Sequence, residues 1–266
     1  MTTKKAHKLS LLIPVYNEER NIQKFCETLV EVPWGLPCEM IFVDDCSKDH
    51  SPQLIQEFID QNMERLRTKN IEILFEQLPK NAGKGSAIQK AIDLCSGTIA
   101  IVQDADFEYD PNEIPQLVNA IVEEKADIVY GSRFKKNALQ VHRTYHYFVN
   151  RFLTLLSNLL SGLYLTDMET CYKACRTEIL KNLVLHSPRF GFEVEFTAHV
   201  ARLRVRILEY PISYYPRNYL QGKKISWKDG VAALWHILYF NWIVKKEERF
   251  TDELPERYRV SGSEWL

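Results

Sequence analysis

The chain has 266 residues, 45% of them hydrophobic and 26% charged, and its net charge is −1 at pH 7. This length supports one α/β domain with a sizeable core, and the composition is ordinary for a globular protein. A nearly neutral chain has no global positive charge to meet a phosphate backbone. We therefore expect no nucleic-acid partner.

The first residues, the cysteines and the apolar runs bear on the cellular compartment. Residues 1–8 are polar and lack the apolar core of a signal peptide. The six cysteines show no CxxC spacing, and a chain of this size needs no disulfide framework. The run nearest to a membrane span, residues 231–244, is shorter than the roughly 18–20 apolar residues required. These features predict a reduced, cytoplasmic protein.

In the first half of the chain, short β-rich runs alternate with stretches of helical periodicity. Strands are predicted over 9–15, 39–44, 71–76, 98–104 and 126–132, with helices over 18–30, 52–66, after Gly83 and from about 112. Continuous apolar strands separated by helices are typical of a mostly parallel sheet covered on both faces. Ligands of such sheets bind beyond the carboxyl ends of the strands. Four polar clusters are expected to meet there: 14–18, 44–47, 104–106 and 131–133.

The second half is predicted to be helical and less regular. A long apolar-rich helix is expected over 145–165, strand character over 205–215 and a terminal amphipathic helix over 226–244. Residues 247–266 are charged without a clear period and are interpreted as a loosely packed tail. With no repeat or linker in the chain, the pattern predicts one continuous domain over residues 1–246.

Asp104-Ala105-Asp106 follows a predicted buried strand, which brings two carboxylates to the edge of the sheet. Mg²⁺ and Mn²⁺ prefer one or two carboxylates together with phosphate oxygens and water. An ion that bridges a diphosphate in this way neutralises the charge that develops on a nucleoside-diphosphate leaving group. The alternative is a strand that simply ends in polar residues, since this short pattern is common by chance.

Two other clusters follow predicted strands. Asp44 and Asp45 are suited to accept hydrogen bonds from a nucleobase or ribose, and the alternative is an N-cap for the next helix, a role that Ser51 would also fill. Residues 81–85, NAGKG, form a glycine-bearing turn at a helix N-terminus, where backbone N–H groups and Lys84 are suited to meet phosphate. The turn matches neither a Walker A loop nor a dinucleotide-binding turn, and such turns more often simply begin a helix.

Three further pairs have the spacing of metal ligands or acid/base groups. They are His142 and His146, Cys171 and Cys175, and Glu193 and Glu195. No third metal ligand is evident near the histidines, and the cysteines are interpreted as packed thiols. The glutamates lie in a Phe-rich stretch, where we expect one of them to order an arginine side chain.

Five motifs in order resemble a known family. They are IPVYNEE (13–19), VDDCS (43–47), NAGKG (81–85), QDADFEYDP (103–111) and GSRF (131–134). Together they resemble the inverting family 2 glycosyltransferases with a GT-A fold, in particular the dolichyl- or polyprenyl-phosphate mannosyl- and glucosyltransferases. Segments 165–176, 190–202 and 214–230 resemble the acceptor-side half of that subgroup, so the resemblance covers about residues 9–241. One departure is Cys46, where the family usually has Gly.

The resemblance implies a nucleotide-sugar-binding half over 9–134 and an acceptor-side half over 135–246. It assigns these residues to the nucleotide-sugar donor: Pro14, Tyr16, Glu18, Asp44, Asp45, Lys84, Gln103, Asp104 and Asp106. It implies catalytic roles for Asp104, Asp106, Arg133 and Arg217, with both aspartates as ligands of Mg²⁺ or Mn²⁺ and Glu108 as a lesser candidate. Acceptor contacts are implied for Arg143, Asp167, Arg217, Lys223 and Lys224, and helix capping is the alternative role of Asp167.

The acceptor decides whether the enzyme needs a general base. A hydroxyl acceptor must lose a proton to a carboxylate, whereas a lipid monophosphate, with a second pKa of about 6, is already largely ionised and needs positive side chains. Segment 202–228 is rich in basic residues, which favours the phosphate. The aromatic residues Trp227, Trp235, Tyr239, Phe240 and Trp242 suit a membrane interface, with packing of at least half of them against the sheet as the alternative.

We therefore expect transfer of one hexose from a GDP- or UDP-sugar to a polyprenyl phosphate, with inversion, by a protein bound peripherally to the cytosolic membrane face. One alternative is a glycosyltransferase that extends a glycan or another hydroxyl acceptor. The other is a non-catalytic protein that binds nucleotide sugars, against which the intact Asp104 and Asp106 speak.

Overall fold

The protein is built on a seven-stranded sheet with the strand order β3-β2-β1-β4-β6-β5-β7. A computed structural model describes residues 6–135, 144–189, 191–216 and 227–260. The strands are β1 (Leu9–Val15), β2 (Cys38–Asp44), β3 (Ile71–Gln77), β4 (Ile99–Val102), β5 (Ile128–Ser132), β6 (Lys173–Arg176) and β7 (Ile207–Pro211). The helices are α1 (Ile22–Glu31), α2 (Ser51–Thr68), α3 (Lys84–Leu94), α4 (Ile114–Val122), α5 (Thr144–Ser161), α6 (Thr177–Leu180), α7 (Phe192–Val200) and α8 (Trp227–Leu238).

Six of the seven strands run in one direction. Strand β1 pairs in parallel with β2 and β4, β2 pairs with β3, and β5 pairs with β7, whereas β6 is antiparallel to both β4 and β5. The predicted α/β class with a mostly parallel sheet is confirmed. Strand β6 and helix α6 are absent from the sequence-based prediction, because each has only four residues and, unlike the equally short β4, is not a continuous apolar run.

Strands β1 and β2 are largely apolar because helices cover both faces of the sheet. Every residue of β1 and β2 is buried except Pro14, which is half-buried. Val15 pairs with Asp44 in the parallel register, so β1 and β2 end at the same level. The loops that follow these strands therefore begin side by side.

The part of the chain after residue 135 adds a second apolar cluster in which α5, α7 and α8 meet. Leu153 of α5, Val194 of α7 and Ile237 of α8 are among its buried residues. Helix α8 is followed by one π-helical turn, Tyr239–Ile243. In the described part of the chain, none of the helices combines the length and the apolar character needed to cross a bilayer.

The segment after α8 packs against the core. The guanidinium of Arg249 is buried and donates to the carbonyl oxygens of Val244 at 2.7 Å and Ala198 at 3.4 Å. Leu254 and Tyr258 are buried in the main core. The predicted loosely packed tail is therefore wrong for residues 247–260, because buried apolar side chains are interspersed among its charges.

We expect Tyr258→Ala to lower the free energy of unfolding by about 3 kcal/mol, because it empties a buried aromatic site. Tyr258→Phe should cost about 1 kcal/mol, since it removes the hydrogen bond from the hydroxyl to Glu178 (2.7 Å) and keeps the ring. Urea unfolding followed by circular dichroism measures both, with exposed Glu253→Ala as the control. Equal stability of Tyr258→Ala and Glu253→Ala would contradict a packed segment.

Candidate active site

The loops after β1 and β2 are joined by hydrogen bonds at the carboxyl edge of the sheet. The amide of Asn17 donates to Ser47 Oγ (2.8 Å), the amide of Lys48 donates to Asn17 Oδ1 (2.8 Å), and the amide of Asp45 donates to the Val15 carbonyl (2.8 Å). Cys46 lies between them with φ +57°, a left-handed conformation that glycine adopts without a Cβ penalty. This backbone requirement explains why a glycine suits that position.

Asp44 is fully buried and organises its own loop. Its carboxylate accepts from the amide of Ser47 at 2.8 Å, from the Ser47 hydroxyl at 2.5 Å and from the side-chain amide of Gln77 at 3.0 Å. It does not cap α2. The first residue of that helix, Ser51, instead donates to Asp49 through both its amide (3.0 Å) and its hydroxyl (2.6 Å). The capping alternative is therefore wrong for Asp44 and for Ser51.

Asp45 holds the NAGKG turn. One carboxylate oxygen accepts from the amide of Ala82 at 2.6 Å, and the other accepts from the amide of Gly83 at 2.8 Å and the side chain of Asn81 at 2.9 Å. The amide of Ser86 donates to the carbonyl of Pro188 at 3.1 Å. The amides of Ala82, Gly83 and Ser86 thus have partners within the protein, and the binding of phosphate by the rest of this turn stays a prediction.

The two glycines of this turn are required by a close approach of another loop. A Cβ atom at Gly83 would lie 2.4 Å from the carbonyl oxygen of Pro188, and one at Gly85 would lie 2.0 Å from that of Ser187. Since atoms cannot overlap in this way, only glycine allows the 187–189 loop to cover the start of α3.

Lys84 connects the loop after β4 with the start of α7. Its ammonium lies 2.9 Å and 3.0 Å from the two oxygens of Asp104, and 3.0 Å from Glu193 at the start of α7. Burial disfavours the charged ammonium, but Asp104, ahead of Glu193, outweighs burial and holds the pKa of Lys84 well above its usual value. Lys84 is therefore a permanent cation next to Asp104, although a contact with base or phosphate was expected of it.

Gln103 holds the acidic loop, which contains Asp104, Asp106 and Glu108, in place through hydrogen bonds. Its side-chain amide donates to the carbonyl of Asp104 at 2.8 Å and accepts from the hydroxyl of Tyr172 at 2.6 Å, and it is fully buried. Both ends of this amide are thus used inside the protein. Gln103 shapes the loop that carries Asp104, and no described contact gives it a surface for a ligand.

Asp104 and Asp106 are the two carboxylates that the sequence predicts as ligands of a divalent cation. Asp106 is nearly buried, and its Oδ1 accepts from the amide of Glu108 at 3.0 Å. Within the ranges that the structure describes, no group of three or more His, Cys, Asp or Glu residues is arranged to hold a metal. Two carboxylates fit Mg²⁺ or Mn²⁺ that takes its other ligands from donor phosphates and water, because these ions keep several non-protein ligands.

Arg133 and Asp167 form a buried, two-fold hydrogen-bonded ion pair. The guanidinium donates from Nε and Nη2 to the two carboxylate oxygens, each at 2.7 Å, and the Arg133 amide adds a third bond at 3.0 Å. Burial opposes the charged guanidinium, but Asp167 holds the pKa of Arg133 well above its usual value. Asp167 therefore does not cap a helix, and the pair leaves little of the Arg133 fork for a phosphate.

The end of the described acceptor segment lies against the acidic loop. The hydroxyl of Tyr214 donates to Glu108 at 3.0 Å, the amide of Tyr215 donates to the Glu108 carbonyl at 2.7 Å, and Arg133 lies 5.0 Å from the centre of the Tyr214 ring. The predicted acceptor residues Arg143, Arg217, Lys223 and Lys224 lie outside the described residues, as does His142. The chain directly before Arg217 therefore reaches the site.

The other predicted residues have mixed outcomes. Pro14 and Tyr16 are half-buried at the end of β1, and Glu18 is buried in the loop before α1. Cys171 and Cys175 are buried free thiols, as predicted. Their i, i+4 spacing is therefore explained by packing in the core.

The glutamates of α7 bear on the expectation that one of them orders an arginine. Glu193 binds Lys84, and Glu195 accepts from the amides of His186 at 2.7 Å and Ser187 at 2.9 Å. Glu195 thereby holds the loop that covers the start of α3. Among the residues that the structure describes, neither carboxylate is hydrogen-bonded to an arginine, and the arginine partner stays a prediction.

Lys173 is a buried residue of the site that the sequence pattern does not reveal. Its ammonium donates to the carbonyl of Met168 at 2.8 Å and to that of Thr170, and burial lowers its pKa to about 8 although Glu193 and Glu169 oppose the shift. Lys173 was not predicted as a site residue because the sequence of β6, on which it lies, has no recognisable period.

A parallel α/β sheet with an acidic pair at its carboxyl edge is the arrangement of a nucleotide-sugar transferase. The family model described as Glycosyl transferase family 2 matches residues 10–184. The chain belongs to this family, and it is a nucleotide-sugar-dependent glycosyltransferase. The resemblance of the five motifs is confirmed.

The names of two relatives describe sugar transferases and refer to a polyprenyl phosphate. Over 239 residues the chain is 28% identical to the dolichyl-phosphate beta-glucosyltransferase of Trichomonas vaginalis, covering 82% of this chain and 68% of that protein. Over 227 residues it is 29% identical to the undecaprenyl-phosphate 4-deoxy-4-formamido-L-arabinose transferase of Proteus mirabilis, covering 84% of this chain and 64% of the relative. The chain thus spans about two thirds of the length of these two transferases.

Solved structures show the same fold. Glucosyl-3-phosphoglycerate synthase from Mycobacterium tuberculosis in complex with uridine diphosphate superposes with a TM-score of 0.62 at 18% identity, covering 90% of this chain and 82% of that one. The same synthase is also known in complex with Mn²⁺ and uridine diphosphate. The GT-A fold is confirmed.

We expect Asp167→Ala to lower the free energy of unfolding by about 3–5 kcal/mol, because it leaves the buried Arg133 guanidinium without its counter-charge. Asp167→Asn keeps the shape and part of the hydrogen bonding, so it should cost less. Chemical denaturation of both variants, beside exposed Asp93→Ala as a control, measures the difference. A loss below 1 kcal/mol for Asp167→Ala would show that the pair is not a structural requirement.

Proposed function

We propose that this protein transfers a hexose from a GDP- or UDP-sugar to a polyprenyl phosphate, with inversion at the anomeric carbon, while bound to the cytosolic surface of a membrane. The observation that carries the proposal is an apolar surface on α5 and α8, in the acceptor-side half. We call it the α5–α8 face. An acceptor with a long isoprenoid chain lies in a bilayer, and its enzyme must reach it there.

On α5 the α5–α8 face consists of side chains that a globular core would normally bury. Phe148, Phe152, Leu155 and Leu159 are exposed by 64%, 57%, 57% and 73%, and their spacing places them on one side of the helix. Among the exposed side chains described between 147 and 161, only Arg151 is charged. Exposed apolar surface of this extent marks an interaction site.

Helix α8 and the turn after it extend the same kind of surface. Trp235 and Trp242 are exposed by 57% and 70%, whereas Phe240 is buried and Tyr239 is half-buried. The side chain of Trp227 lies outside the described residues. Tryptophan favours the membrane interface, because its ring is apolar and its N–H is polar. Two of the four described aromatics of this segment therefore support contact with lipid, and the other two support packing.

A lipid-phosphate acceptor needs charge neutralisation instead of a general base, because its second pKa is about 6. The basic residues Arg217, Lys223 and Lys224, with Arg143, are proposed to bind that phosphate. Arg133 is held by Asp167, so its proposed part is to position the loop next to Tyr214. The names of two relatives, which refer to dolichyl and undecaprenyl phosphate, support this class of acceptor.

On the donor side, Asp104 and Asp106 are proposed to hold Mg²⁺ or Mn²⁺. When bound, the ion supplies positive charge to the nucleoside-diphosphate leaving group. Lys84 adds a fixed charge beside Asp104, and Asp45 keeps the turn before Lys84 in place. Pro14, Tyr16, Glu18 and Asp44 are proposed to shape the nucleoside pocket.

The α5–α8 face is tested by replacing Phe152 and Trp235 together with glutamate. We expect the double variant to lose binding to vesicles that contain anionic lipid and to lose transfer to polyprenyl phosphate in those vesicles, because two charges oppose insertion. Transfer to a short-chain, water-soluble polyprenyl phosphate should remain. Met63→Glu, at a 64% exposed site on α2, is the matched control. Unchanged vesicle binding by the double variant would contradict the membrane assignment.

Removal of the metal tests the donor site. We expect Asp106→Ala to reduce hexose transfer by at least about 100-fold, since loss of a ligand to the ion removes several kcal/mol of charge stabilisation. Treatment with EDTA should have a similar effect, reversed by Mn²⁺. The melting temperature of Asp106→Ala, compared with Asp93→Ala, checks the fold. Transfer that survives both the substitution and EDTA would overturn the metal assignment.

A further inference from the structure

Glu169 carries a buried carboxylate oxygen that the established family assignment does not explain. Its Oε1 is inaccessible to solvent and has no hydrogen-bond partner among the residues that the structure describes. The hydroxyl of the neighbouring Thr170, a fully buried residue, is in the same state. Native proteins leave few such groups unpaired, and those that remain often face a ligand or an ordered water.

Local disorder of the chain does not account for this unpaired oxygen, because the backbone on both sides of Glu169 is held in place. Lys173 binds the carbonyls of Met168 and Thr170, which flank Glu169 in sequence. Two residues earlier, Asp167 is paired with Arg133. The backbone on both sides of this half-buried residue is thus held rigidly, as the backbone of a group that binds a ligand must be.

The surroundings of Glu169 belong to the donor site. The charged groups that act on it are, in order, Glu193, Lys173, Arg133 and Asp167. Glu193 is joined through Lys84 to Asp104, the proposed carrier of the donor diphosphate. Burial, followed by the charge of Glu193, raises the pKa of Glu169 to about 7. Near neutral pH this carboxyl group is therefore able both to donate and to accept a hydrogen bond.

We propose that Glu169 binds a hydroxyl group of the transferred hexose and thereby contributes to the choice of donor sugar. The sugar is attached to the diphosphate, so its hydroxyl groups lie close to the group that binds the phosphates. A sugar hydroxyl pairs with either protonation state of the carboxyl, whereas a phosphate would be repelled by the ionised one. The inference rests on the proposed donor site and does not depend on the acceptor.

The test measures turnover of UDP-glucose and GDP-mannose, and of their monodeoxy derivatives, by hydrolysis to water without acceptor. With the sugar nucleotide that wild type uses, Glu169→Ala should lower kcat/KM at least tenfold, and Glu169→Gln, which keeps a donor and an acceptor, should lose less. Binding of UDP and GDP alone, measured by calorimetry, should stay within twofold. Exposed Glu64→Ala is the control.

The deoxy donors identify the contact. For one position of the sugar, removal of the hydroxyl should slow wild type about tenfold and should slow Glu169→Ala no further, because the partner is already gone. Equal slowing of both proteins at every position would overturn the inference, and so would a tenfold loss of UDP or GDP binding by Glu169→Ala.

Two further measurements distinguish a failure of this inference from a structural role of Glu169 and from a wrong assignment of the acceptor. The melting temperature of Glu169→Gln should equal or exceed that of wild type, since the substitution removes an unpaired ionisable group from a buried position. A lower melting temperature together with lost nucleotide binding would mean a structural role and would overturn the inference. Hydrolysis of a sugar nucleotide without transfer to any lipid phosphate would refute the proposed acceptor while leaving the Glu169 result valid.

Discussion

The site depends on one half-buried cation. Lys84 neutralises Asp104 and Glu193 at the same time, and these two carboxylates come from opposite halves of the chain. Without that ammonium, these two carboxylates would lie close together without a counter-charge. Because the lysine is charged throughout the physiological pH range, Asp104 lies beside a fixed positive charge. The interaction therefore fixes both the electrostatics of the donor site and the approach of α7 to α3.

The remaining polar groups keep this arrangement rigid. Asp45 holds the turn before Lys84 through backbone amides, and Glu195 holds the loop that covers the start of α3. Arg133 and Asp167 fix the loop after β5 in the same manner. Each of these carboxylates is buried together with the groups that satisfy it, which avoids the cost of an unpaired buried charge. A site built in this way is organised before its substrates arrive, so binding energy is not spent on ordering loops.

Apolar side chains are buried in one part of the protein and exposed in another. Strands β1 and β2 are enclosed by helices on both faces of the sheet, whereas α5 and α8 present the α5–α8 face, with Phe152 and Trp235 exposed. Core packing and the exposed face use the same residue types, so composition alone does not separate them. Only the contact of α5 with α7 and α8 shows which apolar side chains remain outside, and the aromatics of the terminal segment accordingly divide between the two environments.

The sequence by itself determined the parallel sheet, the acidic pair at its edge and the family, because apolar periodicity and short motifs are local properties of the chain. It did not determine the charge pairs. Lys84 and Glu193 are 109 positions apart, and Arg133 and Asp167 are 34 apart, so their contact depends on where β5, β6 and α7 lie in the folded sheet. Strand β6, which has no continuous apolar run, was not recognised, and Lys173, its first residue, and Glu169, four residues before it, were missed with it. Tertiary structure decided these roles because burial of a charge is meaningful only once its neighbours are known.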